Sequence, residues 1–182
     1  MKLLVVVDYQ KDFVDGALGF PGAEKLDAGI AEKIHSYDRA GDYIVQTMDT
    51  HGADYLSTRE GKHLPVPHCI AQTEGWQTYG ETAMAIAEVE NSPRFRRINK
   101  ATFPVHPQDM MEVLAWIGDD EITQIELVGL VSNICVVSNL CVFQGAFPLA
   151  QAVVDPNLIA SHDPNAHAAV LEVMKGLQVE GL

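Results

Sequence analysis

The stretch Leu3-Leu4-Val5-Val6-Val7-Asp8 decides the fold class, because a short apolar run ends directly in a carboxylate. A short, continuous run of β-branched and apolar residues is typical of a buried strand. A carboxylate at the end of such a strand is costly to bury unless it is paired. The stretch therefore predicts a central strand with a reactive group at its carboxyl end.

The same arrangement recurs along the chain. Three further apolar runs are followed by reactive side chains, namely Tyr43 to Met48 by Asp49 and His51, Phe95 to Asn99 by Lys100, and Ile125 to Val131 by Cys135. In open α/β sheets, ligands bind just outside the carboxyl ends of the strands. We therefore expect an acid, a lysine, a thiol and an Asp-x-His pair to meet in one crevice.

Strand-like runs alternate with helix-like segments. The strands are expected near 2–8, 43–49, 94–99, 123–131 and 150–155, with a weaker edge run at 177–179. The helices are expected from Leu26 to Gly41, over 80–90, from Pro107 to Gly118 with Met110, Leu114 and Ile117 inward, after Cys135, and from Asp163-Pro164 to Gly176. Alternation of this kind predicts an α/β fold, with a central, mostly parallel sheet between two helical layers, in one domain over 1–182.

The net charge, the cysteines and the apolar segments disfavour several kinds of partner and location. The 182 residues carry a net charge of −13, which disfavours nucleic acid and anionic membrane surfaces as partners. Three cysteines without a Cys-x-x-Cys pair, and an N-terminal apolar run too short for a signal peptide, favour a reducing, cytoplasmic location. The uncharged segment from Leu127 to Val154 contains polar and helix-breaking residues, so we interpret it as strand, helix and strand rather than a membrane span.

Cys135 follows Ser132 and Asn133, either of which could cap a helix that starts here. In a first helical turn, the helix dipole and free N–H groups stabilise a thiolate and can hold an oxyanion. The alternative is a small buried apolar side chain, which is our interpretation of Cys69 and Cys141. Asp8 and Lys100 could form a plain ion pair, or could join Cys135 as base and cation of a nucleophilic site.

Asp49-Thr50-His51 places two ligand-type side chains at i and i+2 of a strand end, and Glu60, His63 and His68 follow within twenty residues. Such residues predict one divalent ion, with zinc favoured and iron or manganese as alternatives. We expect the remaining histidines to be solvated or capping side chains, namely His35, His106, His162 and His167.

Two aromatic residues lie beside the reactive groups and could hold a flat ring, Phe13 after Asp8 and Phe103 after Lys100, although ordinary core packing would also explain them. The first strand is not followed by a glycine-rich phosphate loop, which disfavours a nucleotide-binding module.

The chain resembles the isochorismatase-like cysteine hydrolases, and among them the nicotinamidases. The matching motifs are Asp8-Tyr9-Gln10-Lys11-Asp12-Phe13, Thr47-Met48-Asp49-Thr50-His51, Pro67-His68-Cys69 followed by Thr73-Glu74-Gly75, Lys100, and Gly129-Leu130-Val131-Ser132-Asn133-Ile134-Cys135-Val136. Nicotinamidases often carry an aromatic residue a few positions before the last histidine, where this chain has His63-Leu64-Pro65-Val66-Pro67.

The resemblance implies an isochorismatase-like α/β fold and a catalytic triad of Asp8, Lys100 and Cys135. It also implies a cis peptide between Leu130 and Val131, with an oxyanion hole formed by the N–H groups of Val131 and Cys135. It further implies a metal held by Asp49, His51, His68 and, in some members, Glu60, with His63 as a replacement for Glu60.

The predicted activity is hydrolysis of nicotinamide to nicotinic acid and ammonia, a step in NAD salvage, by a homo-oligomer. The alternatives are a metal-free relative acting on another small amide or an N-carbamoyl or ureido compound, and a non-catalytic metal- or ligand-binding module.

Overall fold

The computed structural model describes residues 1–182, and its core is a five-stranded, wholly parallel sheet in the order β3-β2-β1-β4-β5. The strands are β1 (Lys2–Val7), β2 (Tyr43–Asp49), β3 (Phe95–Lys100), β4 (Gln124–Leu130) and β5 (Gln151–Ala160). The helices are α1 (Lys11–Val14), α2 (Asp27–Ala40), α3 (Arg59–His63), α4 (Gly80–Val89), α5 (Pro107–Ile117), α6 (Val137–Ala146) and α7 (Pro164–Gly176).

The central position of β1 follows from its sequence. Leu3, Val5 and Val7 pack on one face of the sheet with residues of α5, α6 and α7, whereas Leu4 and Val6 pack on the other with residues of α2 and α4. Since both faces of β1 are buried, the strand needs apolar side chains at every position rather than at alternate ones. The predicted three-layer arrangement is confirmed.

The helix ends follow the capping residues. Gly41 ends α2 at a φ of 71°, a left-handed conformation that glycine adopts without strain. Asp163 caps α7 by accepting hydrogen bonds from the N–H groups of Asn165 and Ala166. His106 caps α5, as Nδ1 accepts from the N–H of Gln108, so its predicted capping role is confirmed.

Three local predictions are wrong. β5 continues to Ala160, because its register with β4 shifts from Leu127 opposite Val154 to Gly129 opposite Ile159, and the extra residues of β5 in this irregularity include Pro156. The run 177–179 forms no strand, and only a single bridge joins Glu180 to Val153. Leu114 is 39% exposed, because Met110, Val113 and Ile117 form the buried face of α5.

The uncharged segment from Leu127 to Val154 folds as predicted into the end of β4, a helical region and the start of β5. None of the helices combines the length and the apolar character that a membrane crossing would require.

Candidate active site and metal centre

The carboxyl ends of four neighbouring strands bring the predicted reactive groups together. The Nζ atom of Lys100, at the end of β3, lies 2.6 Å from Oδ2 of Asp8, which follows β1. The same Nζ lies 3.9 Å from Sγ of Cys135, which follows β4. All three side chains are buried. The two alternatives for Asp8 and Lys100 thus hold together, because the residues form an ion pair and Lys100 also contacts the Cys135 thiol.

The local backbone and Thr47 orient Asp8. Its φ is 47°, an uncommon value for a residue with a side chain, and the hydroxyl of Thr47 donates to Oδ1 at 2.6 Å. Burial raises the pKa of Asp8, and the positive charge of Lys100 acts in the opposite direction. Burial also opposes the charge on Lys100, but the Asp8 carboxylate raises the pKa of the lysine, which therefore stays protonated.

Cys135 lies in a π-helical turn, Ser132–Val136, that leads into α6. Burial and the neighbouring Asp8 carboxylate raise the pKa of the Cys135 thiol well above its ordinary value, and Lys100 only partly opposes them. Burial beside a carboxylate therefore opposes the stabilisation of a thiolate that a helix start provides. One lysine faces two acidic groups, so Asp8 and Cys135 titrate as a coupled pair.

The turn around Cys135 carries the other features implied by the resemblance. The peptide between Leu130 and Val131 is cis. The N–H of Val131 donates to no acceptor in the chain, and Val131 and Cys135 both line the same cavity. Asn139, which the sequence did not indicate, donates to the carbonyl oxygens of Cys135 and Phe103 at 2.8 and 3.1 Å. It thereby ties the nucleophile to the aromatic residue that follows β3.

Asp49, His51, Glu60 and His68 form a second cluster, in which one ligand atom from each lies within 4.8 Å of the others. The Nε2 atoms of His51 and His68 lie 3.0 and 3.3 Å from Oδ2 of Asp49, and 3.7 and 3.6 Å from Oε1 of Glu60. Ligands bound to zinc at about 2.0–2.1 Å in a tetrahedron would lie about 3.3 Å apart. The four residues therefore fit a divalent ion.

The other hydrogen bonds made by these side chains also support a metal site. Nδ1 of His68 lies 2.8 Å from the carbonyl oxygen of Val66, which points Nε2 toward the cluster. Although burial acts against it, hydrogen bonds from the two histidines lower the pKa of Asp49, which remains a carboxylate. His63 is exposed and contacts the carbonyl oxygen of Arg59, so the cluster contains Glu60 rather than His63.

A cavity of about 340 Å³ extends between the thiol and the metal-type cluster. Phe13 and Phe103 both line it, and Leu64 lies in its wall. Sequence reasoning missed several lining residues that come from separate segments, namely Leu18, Gly19, Ile134 and His162.

Two side chains differ from their predicted surroundings, His167 and Cys141. His167 is not merely solvated, since Nδ1 lies 2.9 Å from the hydroxyl of the buried Ser132. His162 is exposed as predicted, although it borders the cavity, and the partly exposed His35 lies 3.2 Å from the exposed Glu88. Cys69 is buried as expected, but Cys141 is exposed on α6.

A family model described as "Isochorismatase domain" matches residues 2–180. The solved structure of a nicotinamidase/pyrazinamidase from Bacillus subtilis is 28% identical, with a TM-score of 0.84 over 98% of this chain and 99% of that one. A pyrazinamidase from Pyrococcus horikoshii, in complex with zinc, is 23% identical, with a TM-score of 0.77 over 98% and 96% of the two chains.

An N-carbamoylsarcosine amidase from Thermoplasma acidophilum is 22% identical, with a TM-score of 0.74 over 96% and 94% of the chains. The likeness to these last two proteins supports the fold alone. No protein with curated annotation matches the sequence.

Proposed function

Because this chain belongs to the isochorismatase family of hydrolases, we propose that it is a cysteine amidohydrolase that converts nicotinamide and water to nicotinic acid and ammonia. The observation that carries this proposal is the arrangement of one cavity, with the Asp8–Lys100–Cys135 group and the metal-type cluster both at its walls. A pyridine carboxamide has one reactive group for each, an amide carbon and a ring nitrogen. We further propose that the enzyme acts in the cytoplasm and contributes to NAD salvage.

The first half of the reaction forms a thioester. Asp8 accepts the proton of the Cys135 thiol while Sγ attacks the amide carbon, and the C=O electron pair moves to the oxygen. The N–H groups of Val131 and Cys135 hold the resulting oxyanion. When the C=O bond re-forms, the C–N bond breaks, and Asp8 returns the proton to the departing ammonia.

The second half restores the enzyme. Asp8 accepts a proton from water as the water oxygen attacks the thioester carbon, and the C–S bond then breaks while Asp8 gives this proton to the departing sulfur, which releases nicotinic acid and restores the thiol. At each step, the positive charge of Lys100 stabilises the deprotonated group, which is either the Asp8 carboxylate or the Cys135 thiolate. The raised pKa of Cys135 suits this exchange, because thiol and carboxylate then compete for a single proton.

The metal position would be held by Asp49, His51, Glu60 and His68. We propose zinc, which two histidines and two carboxylates suit, and which the Pyrococcus horikoshii relative binds. When bound, the ion supplies an electrophilic position for the ring nitrogen of the substrate. The same four residues would orient the ring, while Phe13 and Phe103 exclude water from its faces.

The lining of the cavity favours a neutral amide over an N-carbamoyl amino acid. The twelve lining residues contain no arginine or lysine, and the nearby Lys100 is already paired with Asp8. In a metal-free enzyme of the alternative kind, a substrate carboxylate would therefore meet Asp49 and Glu60 with no lysine or arginine to neutralise it. Hydrolysis of an N-carbamoyl amino acid is the alternative, but this cavity suits such a substrate less well.

Ammonia release from a panel of amides tests the proposal. Nicotinamide and pyrazinamide should be hydrolysed fastest, and N-carbamoylsarcosine slowly or not at all. Protein purified without chelator should hold about one metal ion per chain, as expected for one such site. Stripping the ion should weaken nicotinamide binding but leave Cys135 reactive with iodoacetamide, because the ion positions the substrate rather than the thiol. Full activity of a metal-free preparation would refute the metal role.

A further inference from the structure

Asp12, on the short helix α1, joins the segment that carries His68 to two other parts of the site. Its Oδ2 accepts a hydrogen bond from the N–H of Cys69 at 2.7 Å, and its Oδ1 accepts one from the N–H of Ala17 at 3.1 Å. Its backbone N–H donates to the carbonyl oxygen of Gly75 at 2.9 Å. No step of the proposed reaction uses this carboxylate.

Cys69, which receives the shorter of these contacts, has an unusual backbone. Its φ of 46° is left-handed, a region that residues with a Cβ avoid because the Cβ approaches the following carbonyl oxygen. Such a conformation persists only where the surroundings hold it. The carboxylate of Asp12 holds the N–H of Cys69, and the N–H of His51 donates to the Cys69 carbonyl oxygen at 3.0 Å.

Cys69 connects the two histidines of the metal-type cluster, because it follows His68 in the chain and its carbonyl oxygen accepts the hydrogen bond from the N–H of His51. His68 precedes Cys69 in the chain, and its Nε2 lies 3.3 Å from Oδ2 of Asp49. If residue 69 relaxed to a right-handed or extended conformation, the direction of the chain at His68 would change. His68 would then leave the cluster, whereas Asp49 at the end of β2 would stay.

We propose that Asp12 is a positioning residue that sets the affinity of this site for a divalent ion, by locking Cys69 in its left-handed conformation and so placing His68. The proposal rests on the metal site proposed above. A hydrogen bond from a backbone N–H to a carboxylate is charge-assisted, which suits a contact that must oppose an unfavourable backbone geometry.

The residues packed around Asp12 leave room for its carboxylate to reach the N–H of Cys69. A Cβ at position 75 would lie 2.2 Å from Oδ2 of Asp12, so the carboxylate reaches Cys69 only because residue 75 is glycine. The next residue of α1, Phe13, has its ring centre 5.5 Å from that of His68. The Asp12 side chain contacts none of the reactive triad, so its loss should affect metal binding rather than the thiol.

Zinc affinity, measured by competition with a chromophoric chelator, tests the proposal in the full chain. Asp12→Asn keeps the shape but can accept at only one oxygen, and we expect it to weaken zinc binding about 10- to 100-fold, the usual effect of losing a contact behind a metal ligand. Asp15→Asn is the matched control, because Asp15 is an exposed carboxylate at the end of the same helix. Its zinc affinity and the iodoacetamide reactivity of Cys135 in both variants should equal those of the wild type.

Two further variants separate positioning from a general loss of stability. Gly75→Ala should displace the Asp12 carboxylate without changing charge, and should weaken zinc binding in the same direction even if Asp12→Asn does not fold. In a Cys69→Gly background, Asp12→Asn should cost much less zinc affinity, since glycine adopts the left-handed conformation without support.

The positioning role would be overturned if Asp12→Asn and Gly75→Ala both bound zinc with wild-type affinity. It would also be overturned if Asp12→Asn lost the same zinc affinity whether residue 69 were Cys or Gly. Either result would leave the proposed function intact. Failure of the wild type itself to bind zinc would instead overturn the metal site and this inference with it.

Discussion

Replacing Lys100 by methionine should make the Cys135 thiol harder to ionise. The Nζ and Sγ atoms lie 3.9 Å apart, and at an effective dielectric constant of about 20 such a pair attracts by about 4 kcal/mol. Loss of that attraction alone would favour the neutral thiol over the thiolate by about 1000-fold and so raise the thiol pKa. Methionine is similar in length to the aliphatic part of lysine, so the change removes mainly the charge and its hydrogen bonds.

Part of this effect will be offset by Asp8. The carboxylate loses its partner at 2.6 Å, and burial then favours its protonated form. A neutral Asp8 no longer repels a thiolate at Cys135. We therefore expect a smaller net rise in the thiol pKa, measured as about a 10- to 100-fold slower alkylation at a fixed pH below that pKa.

The measurement is the rate of iodoacetamide labelling at Cys135 between pH 6 and 10, followed by mass spectrometry. The exposed Cys141 should first be changed to serine, because it would otherwise react. Lys25→Met is the control, as it removes an exposed lysine that forms no ion pair. Circular dichroism establishes that each variant is folded. A labelling profile unchanged from the wild type, or displaced to lower pH, would refute the electrostatic role of Lys100.

Two further outcomes are expected. Cys135→Ala should abolish ammonia release while Cys141→Ala keeps nearly all of it, and substantial turnover without Cys135 would exclude the thioester route. Tyr37→Phe should lower the free energy of unfolding in urea by about 1.5–3 kcal/mol, because the phenol donates to the buried carboxylate of Glu126 at 2.8 Å, and should leave activity unchanged. Burial and Glu126 raise the pKa of Tyr37, so the stabilisation is present below the unfolded value of about 10 and is lost as pH rises above it. The wild type should therefore lose stability more steeply than Tyr37→Phe above about pH 10, and parallel urea titrations of the two proteins check this sign.

The sequence predicted the sheet and the convergence of its reactive groups for one physical reason. Parallel strands bring all their carboxyl ends to one edge, so side chains that follow apolar runs meet there whatever lies between them. Asp8, Lys100 and Cys135 could thus be grouped although 92 and 35 residues separate them along the chain. Capping residues such as Gly41 and Asp163 likewise act within one turn and are visible locally.

The metal-type cluster was predictable only in part. Asp49 and His51 follow a strand, and their position could be inferred from it. Glu60 and His63 both lie on α3, and only the packing of that helix turns Glu60 toward His68 and His63 toward solvent. The left-handed conformation at Cys69 likewise depends on Asp12, which lies 57 residues away in the chain.

The sequence by itself therefore determined the layers, the central position of the first strand and the chemical types at the site, because hydrophobic periodicity and strand exits are local properties. The tertiary structure alone decided which residues form the cavity wall, as Leu18, Leu64 and His162 come from three separate segments. It also decided the direction in which the pKa of Cys135 is displaced. A pKa depends on how much water and which charges surround the group, and both are fixed only when distant segments pack together.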